Sequence, residues 1–168
     1  PRGSGPGTAL VDNPEPLPIG VGETLREGDD VAIIGYGYGV GVSLEAAEEL
    51  AAEGINATVI NARFVKPLDS ELILEAARRC RRVVTVEDGV LMGGFGSAVL
   101  EMLQDHGCCV PVKRLGLPDC FIEHGKREKL LEVLGLDAPG IARSVRQFVR
   151  GLPSDELRPE FSTLPGKA

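Results

Sequence analysis

The stretch Val86 to Val99, VEDGVLMGGFGSAV, sets two carboxylates, Glu87 and Asp88, before a turn that holds Gly93, Gly94, Gly96 and the hydroxyl of Ser97. Such carboxylates can serve as general acids, or can accept backbone N–H groups of their own loop without any proton transfer. The second use is the better reading for an acid that closes a buried strand. The glycines permit positive φ and close backbone approach, which suits tight packing against another chain as well as anion binding where a helix starts near Ser97. A second stretch, LGLPDCFIEHG, brings Asp119, Glu123 and His124. Histidine carries protons near neutral pH, but Glu123 and His124 are neighbours in sequence and need not face each other, so a surface or packed histidine is the simpler reading. His106, ahead of Gly107, reads as a cation at a helix end or as a simple surface residue.

The glycine run GYGYGVG, Gly35 to Gly41, looks like a nucleotide loop and is not one by pattern. Counted from Gly37 the last place of G-x-G-x-x-G falls on Val42, and from Gly35 it falls on Val40. No G-x-x-x-x-G-K-[ST] occurs anywhere. A flexible turn between strand and helix accounts for the glycines. Cys80, Cys108, Cys109 and Cys120 show neither a C-x-x-C pair nor zinc-ligand spacing, so no metal site is expected and reduced, mostly buried thiols are.

These residues need elements to hold them. Val31 to Gly37 (VAIIGYG) is an apolar run closed by glycine, as in a strand covered on both faces. Ser43 is expected to cap a helix with Leu44, Ala47, Leu50 and Ala51 in one stripe and Gly54 as its stop. Asn56 to Ala62 repeats the strand, and Asp69 caps a helix with Leu72, Ile73, Ala76 and Ala77 inward. RRVVTVED forms the third strand, Ser97 to His106 the third helix, and VPVKRLGLP a shorter fourth strand. KREKLLEVLG and PGIARSVRQFVRG close the series as helices, the last with Pro139 in its first turn. GETLREGDD is expected to add an antiparallel edge strand. The alternation predicts an α/β fold: a three-layer α/β/α sandwich on a mostly parallel five-stranded sheet. Its carboxyl-end loops gather Arg63, Lys66, Glu87, Asp88, Asp119, Glu123 and His124 on one edge, where such sheets bind ligands. Residues 1–18 read as a linker or arm, 19–151 as the domain and 152–168 as an irregular tail.

Composition narrows the partners. A chain of 168 residues with 43% hydrophobic and 26% charged residues can bury a real core. Its formal charge of −7 disfavours nucleic acid, and no apolar run approaches the ~20 residues of a membrane span. A cytoplasmic setting is expected. The opening PRGSGPG, without an initiator Met, reads as part of something longer.

Taken in order, PRGSGPG, LPIGVGETLREGDDVAIIGYG, NARFVKPLD, VTVEDGVLMGGFGSAV and LGLPDCFIEHG closely resemble the carboxyl-terminal part of the 1-deoxy-D-xylulose-5-phosphate synthase family. ARFVKPLD and GGFGS are shared more loosely with other thiamine-diphosphate enzymes of the transketolase group, whereas LPD-x-FIEHG and the leading PRG are more particular to the synthases. The resemblance covers Pro1 to about Gly151. It implies a homodimeric, three-domain transferase that condenses pyruvate and D-glyceraldehyde 3-phosphate, with thiamine diphosphate and Mg²⁺ held by domains absent from this chain. By the same resemblance this fragment holds no catalytic residue, is inactive alone and contributes to structure and dimer formation. Arg2 matches the arginine that binds the aldehyde's phosphate, a task suited to a guanidinium fork. Glu87, Asp88, Gly93, Gly94, Gly96, Asp119 and His124 then become loop or interface residues. Two other readings are the tail of a 2-oxoacid dehydrogenase β subunit and a free-standing α/β ligand-binding module.

Overall fold

The computed structural model describes Asp12 and residues 14–151. Among these residues five strands and five helices follow in the order β1 (Glu23–Arg26), β2 (Val31–Gly35), α1 (Tyr38–Ala52), β3 (Ala57–Asn61), α2 (Ser70–Cys80), β4 (Val83–Val90), α3 (Phe95–Asp105), β5 (Val112–Leu117), α4 (Arg127–Leu134) and α5 (Ala138–Arg150). The sheet order is β1-β3-β2-β4-β5. β2, β3, β4 and β5 run parallel, and β1 lies antiparallel on β3 with Glu23 opposite Asn61.

The side-chain alternation of the strands divides the core into two apolar layers. Val31, Ile33, Val59, Val84 and Val86 point to one face, where they meet Ala46, Ala47 and Leu50 of α1, Leu131 of α4 and Ile141 and Val145 of α5. Ala32, Ile34, Ile60 and Val83 point to the other face, against Ile73, Ala76 and Ala77 of α2 and Val99 and Leu103 of α3. This is the three-layer sandwich with one antiparallel edge strand that the alternation predicts. Central β2 is fully buried along its length, which is why its sequence is an unbroken apolar run rather than an alternating one.

Two helix starts differ from expectation. α1 begins at Tyr38, inside the glycine run, with Gly37 as its cap residue at φ 58°. Ser43 is therefore interior and buried, and its hydroxyl donates to the carbonyl of Gly39 at 2.5 Å. α3 begins at Phe95 after Gly94, so Ser97 also lies inside the first turn. In both cases a glycine takes the cap position and the hydroxyl bonds elsewhere. Asp69 does cap α2, its Oδ1 accepting from Leu72 N at 3.1 Å, while Oδ2 accepts from Gly22 N at 2.9 Å and ties the entry of β1 to the same carboxylate. The cysteines are free, but only Cys80 is buried; Cys108 is half-buried, and Cys109 and Cys120 are exposed. The expectation of mostly buried thiols fails because three of the four sit in connections outside the helices and strands.

Candidate functional site

The carboxyl ends of the parallel strands, with the amino end of β1, form one edge of the sheet, and the predicted loop residues lie along it. β4 pairs regularly with β5 up to Val86↔Leu115, then resumes at Val90↔Leu117. Four steps on β4 thus match two on β5, and a bulge of this kind re-aims the side chains it contains. Glu87 falls inside it. Its side chain turns under the following loop and is only 4% exposed.

There Glu87 Oε2 accepts from Phe95 N and Oε1 from Gly96 N, both at 2.8 Å. These amides belong to the first turn of α3, which otherwise leaves them without partners and carries a partial positive charge. A carboxylate from the preceding strand thus does the work usually left to a cap side chain. The glycines make room for it. A Cβ on Gly94 would stand 2.1 Å from Val90 O and 2.5 Å from Glu87 Oε2, and one on Gly96 would stand 2.5 Å from Thr85 Oγ1. Gly93 alone of the three takes a left-handed φ, 71°.

A second set of bonds closes the turn itself. Ser97 Oγ accepts from Gly93 N at 3.1 Å and donates to Leu91 O at 3.1 Å. Arg114, reaching from β5, donates to Leu91 O at 2.6 Å and to Ser97 Oγ at 2.9 Å. The loop is consequently held from inside the domain, and its α3 amides are already occupied by a protein carboxylate. An external anion has no open seat at this helix start.

The other sequence-marked residues are distributed differently. Asp88 points outward and pairs with Arg127 at 2.8 Å, while the Arg127 guanidinium lies 4.0 Å from the centre of the Tyr38 ring. Tyr36 stacks on Phe95 with ring centres 5.4 Å apart. Arg63, at φ 55°, pairs with Glu23 at 2.5 Å. Asp119 and His124 are exposed in the loop after β5, and among the described residues no hydrogen bond or ion pair joins either of them to Glu87 or to each other. Arg2 lies outside the described residues. Arg114 and Arg127, which hold the loops in place, were not evident from sequence, where Arg114 is one of two adjacent charges in a strand and Arg127 one charge among several in a polar stretch.

Among the described residues no group of three or more His, Cys, Asp and Glu is arranged to hold a metal ion, and no helix is long and apolar enough to cross a membrane. Among the described residues this edge is hydrogen-bonded from within through Glu87, Ser97 and Arg114.

Residues 20–141 match the family described as the transketolase C-terminal domain. The chain belongs to that family. Its similarity to individual proteins agrees. This transketolase C-terminal domain is 54% identical over 154 residues to the 1-deoxy-D-xylulose-5-phosphate synthase of Crocosphaera subtropica, covering 91% of the chain and 24% of the relative. It is 55% identical over 160 residues to 1-deoxy-D-xylulose-5-phosphate synthase 1 of Geobacter sulfurreducens, covering 94% of the chain and 25% of the relative. The chain spans about a quarter of the length of the curated relatives it matches. Among solved structures, a split-gene transketolase described as an inactive β4 tetramer superposes with a TM-score of 0.75 at 40% identity, covering 80% of this chain and 44% of that one. A transketolase from Pichia stipitis, at 19% identity and a TM-score of 0.55 over 77% of this chain and 18% of its own, shares the fold.

Proposed function

We propose that this transketolase C-terminal domain is the end of a 1-deoxy-D-xylulose-5-phosphate synthase, which condenses pyruvate with D-glyceraldehyde 3-phosphate and releases carbon dioxide. One observation carries the reading: 54–55% identity, over more than nine tenths of the chain, to relatives that bear that name. In this reading residues 1–18 end the preceding domain, 19–151 form the C-terminal domain and 152–168 are its tail, within a homodimer.

Thiamine diphosphate with Mg²⁺ supplies the carbanion chemistry of such an enzyme when bound. The described residues do not fit that group. They include no metal-ligand cluster, and the amides of the α3 first turn, which could otherwise cradle a phosphate, are taken by Glu87. We therefore assign the cofactor and every catalytic step to the part of the polypeptide outside this chain. To this chain we assign the scaffold, and to Arg2 the phosphate of the aldehyde substrate, which a guanidinium can hold through paired charged hydrogen bonds. The isolated chain is expected to be inactive, a reading supported by the similar split-gene transketolase described as an inactive tetramer.

The test is to express the complete reading frame and assay pyruvate-dependent formation of deoxyxylulose phosphate. Activity of the complete protein with none from the 168-residue chain is the expected result; a complete protein without it sinks the proposal. Arg2→Ala in the complete protein should weaken apparent binding of glyceraldehyde phosphate by about 2 kcal/mol, and an unchanged value removes Arg2 from the site.

A further inference from the structure

Two cysteines, Cys108 and Cys109, stand side by side in the connection that joins α3 to β5. β5 runs parallel to β4, so this connection lies at the amino ends of the strands, on the side of the sheet away from the Glu87 loop. The backbone there is set by the way α3 ends. Gly107 takes a left-handed φ of 64°, its N–H donates to Gln104 O at 3.0 Å, and Cys108 N donates to Leu103 O at 2.8 Å. That pair of bonds is the Schellman ending, in which the residue after the glycine commonly lays an apolar side chain on the last turns of the helix. Cys108 does so: it is half-buried against the core layer that holds Met102 and Leu103. Cys109 follows in a tight turn, closed by Val110 N donating to Cys108 O at 3.3 Å, and is exposed.

Both thiols are free, and among the described residues neither sulfur takes part in a hydrogen bond, whereas that of buried Cys80 contacts Gly28 O and the Thr58 hydroxyl. Adjacent Cα atoms are about 3.8 Å apart, closer than an ordinary disulfide spans, so a direct S–S bond between neighbours is strained. An atom seated between the two sulfurs widens the ring and relieves that strain. A zinc ion is not that atom. Structural zinc takes four ligands, and among the described residues no third His, Cys, Asp or Glu joins the pair in a group arranged to hold a metal ion. His106, two residues ahead of Cys108, instead donates from Nδ1 to Met102 O at 2.8 Å. What fits is a soft centre that two thiolates satisfy.

We propose that Cys108 and Cys109 form a dithiol site for a monosubstituted trivalent arsenical, a reading independent of the synthase assignment. The exposed Cys109 sulfur bonds to arsenic first, and the Cys108 sulfur, turning out of its half-buried place, closes the ring. Two As–S bonds form, and the oxygen of R–As=O leaves as water with the two thiol protons. Sulfur and arsenic keep their oxidation states, so the step needs neither oxidant nor reductant. The second bond forms within one chain at high effective concentration, which holds arsenic where a single thiol releases it. The other two cysteines lack this advantage: Cys120 is exposed but has no cysteine beside it, and Cys80 is buried.

The test treats the complete protein with phenylarsine oxide and then washes it with an excess of mercaptoethanol, which strips arsenic held by one sulfur. Intact mass counts the phenylarsenic groups that remain, and iodoacetamide followed by peptide mass spectrometry shows which cysteines they protect. Cys109 is expected to be protected in the parent and Cys120 to be alkylated. Cys109→Ser and Cys108→Ser should each lower the arsenic retained at this peptide by at least about tenfold, while Cys120→Ser keeps it. Cys109 is exposed, so its serine variant should fold with an unchanged urea midpoint and decides the matter even where Cys108→Ser disturbs the end of α3. An unprotected Cys109 after the wash, or equal retention by Cys109→Ser and the parent, overturns the proposal. So does an S–S bond between the two residues in the protein as isolated. Synthase activity is read separately and bears on neither outcome.

Discussion

The carboxylate of Glu87, buried at the end of β4, receives the backbone N–H of Gly96 at 2.8 Å, and its other oxygen receives that of Phe95 at the same distance. Strand and helix are thus joined by a side chain that replaces the cap absent from Gly94. Removing it leaves two amides and a small void. Glu87→Ala should therefore lower unfolding free energy by about 3 kcal/mol, with Glu87→Gln costing less because one acceptor oxygen remains. Urea midpoints of the two variants measure this, and equal midpoints for Glu87→Ala and the parent would show that the bonds contribute nothing net.

The glycines around that carboxylate separate crowding from backbone freedom. Gly94→Ala places a Cβ 2.1 Å from Val90 O, and Gly96→Ala places one 2.5 Å from the Thr85 hydroxyl, so both should destabilise by about 2 kcal/mol or more. Gly41 is exposed in α1, where an added Cβ would meet nothing within 4 Å, and Gly41→Ala should stabilise by about 0.5–1 kcal/mol. Thermal midpoints that moved the same way for all three would refute the distinction.

What could be read from the chain in advance follows from the range of the forces involved. β2 announces itself because burial on both faces demands an unbroken apolar run, β3 because Val59 and Ile60 continue such a run past Thr58, and α2 because Asp69 caps it locally. The starts of α1 and α3 were harder. Ser43 and Ser97 are good cap residues by type, yet glycines six and three residues earlier take the caps, a choice made by how closely the turn passes β4. The order β1-β3-β2-β4-β5 depends on contacts between distant segments and leaves no local mark. For the carboxyl edge, the loops were legible as a group, while the pairing of Asp88 with Arg127 and of Arg114 with Ser97 joins residues far apart in sequence.

Thr85, in β4 beneath α3, has a fully buried hydroxyl with no hydrogen-bond partner among the described residues. A methyl group fills the same space without the desolvation penalty. Thr85→Val should be neutral or stabilising by up to about 1 kcal/mol, and a clear loss of stability in denaturant titration would mean that the hydroxyl has a partner in solution.

Asp69 uses its two oxygens for different purposes, Oδ1 for the cap of α2 and Oδ2 for Gly22 N ahead of β1. Asp69→Ser keeps a cap acceptor and loses the second bond; Asp69→Ala loses both. Amide exchange should report the split. In Asp69→Ser only the amides of the β1 segment exchange faster, whereas in Asp69→Ala the first turn of α2 joins them and global stability falls by about 1–2 kcal/mol. Identical exchange patterns in the two variants would show that one carboxylate does not serve both elements.

The last relationship to test sets a pH dependence. Glu53 caps the carboxyl end of α1, where the helix dipole disfavours a negative charge. Arg146 of α5 offsets this by donating from Nε to Glu53 Oε2 at 2.6 Å, with Nη2 on the other oxygen, and Arg150 Nη2 stands 3.7 Å away. The hydrogen bond from Arg146 is the main cause that holds the Glu53 carboxyl below its ordinary value; desolvation works against it, and the charges of Arg146 and Arg150 reinforce it. Because the folded-state pKa lies below the unfolded one, the folded protein keeps Glu53 ionised where the unfolded chain has begun to protonate. The stabilisation is complete above the ordinary carboxylate range and is lost as pH falls through that range and past the folded value. Arg146→Gln should accordingly lower the urea midpoint near about pH 7, with the difference from the parent shrinking below about pH 4 and in concentrated salt. A difference that stayed constant with pH and salt would assign the effect to packing of the arginine stem between α1 and α5 rather than to its charge.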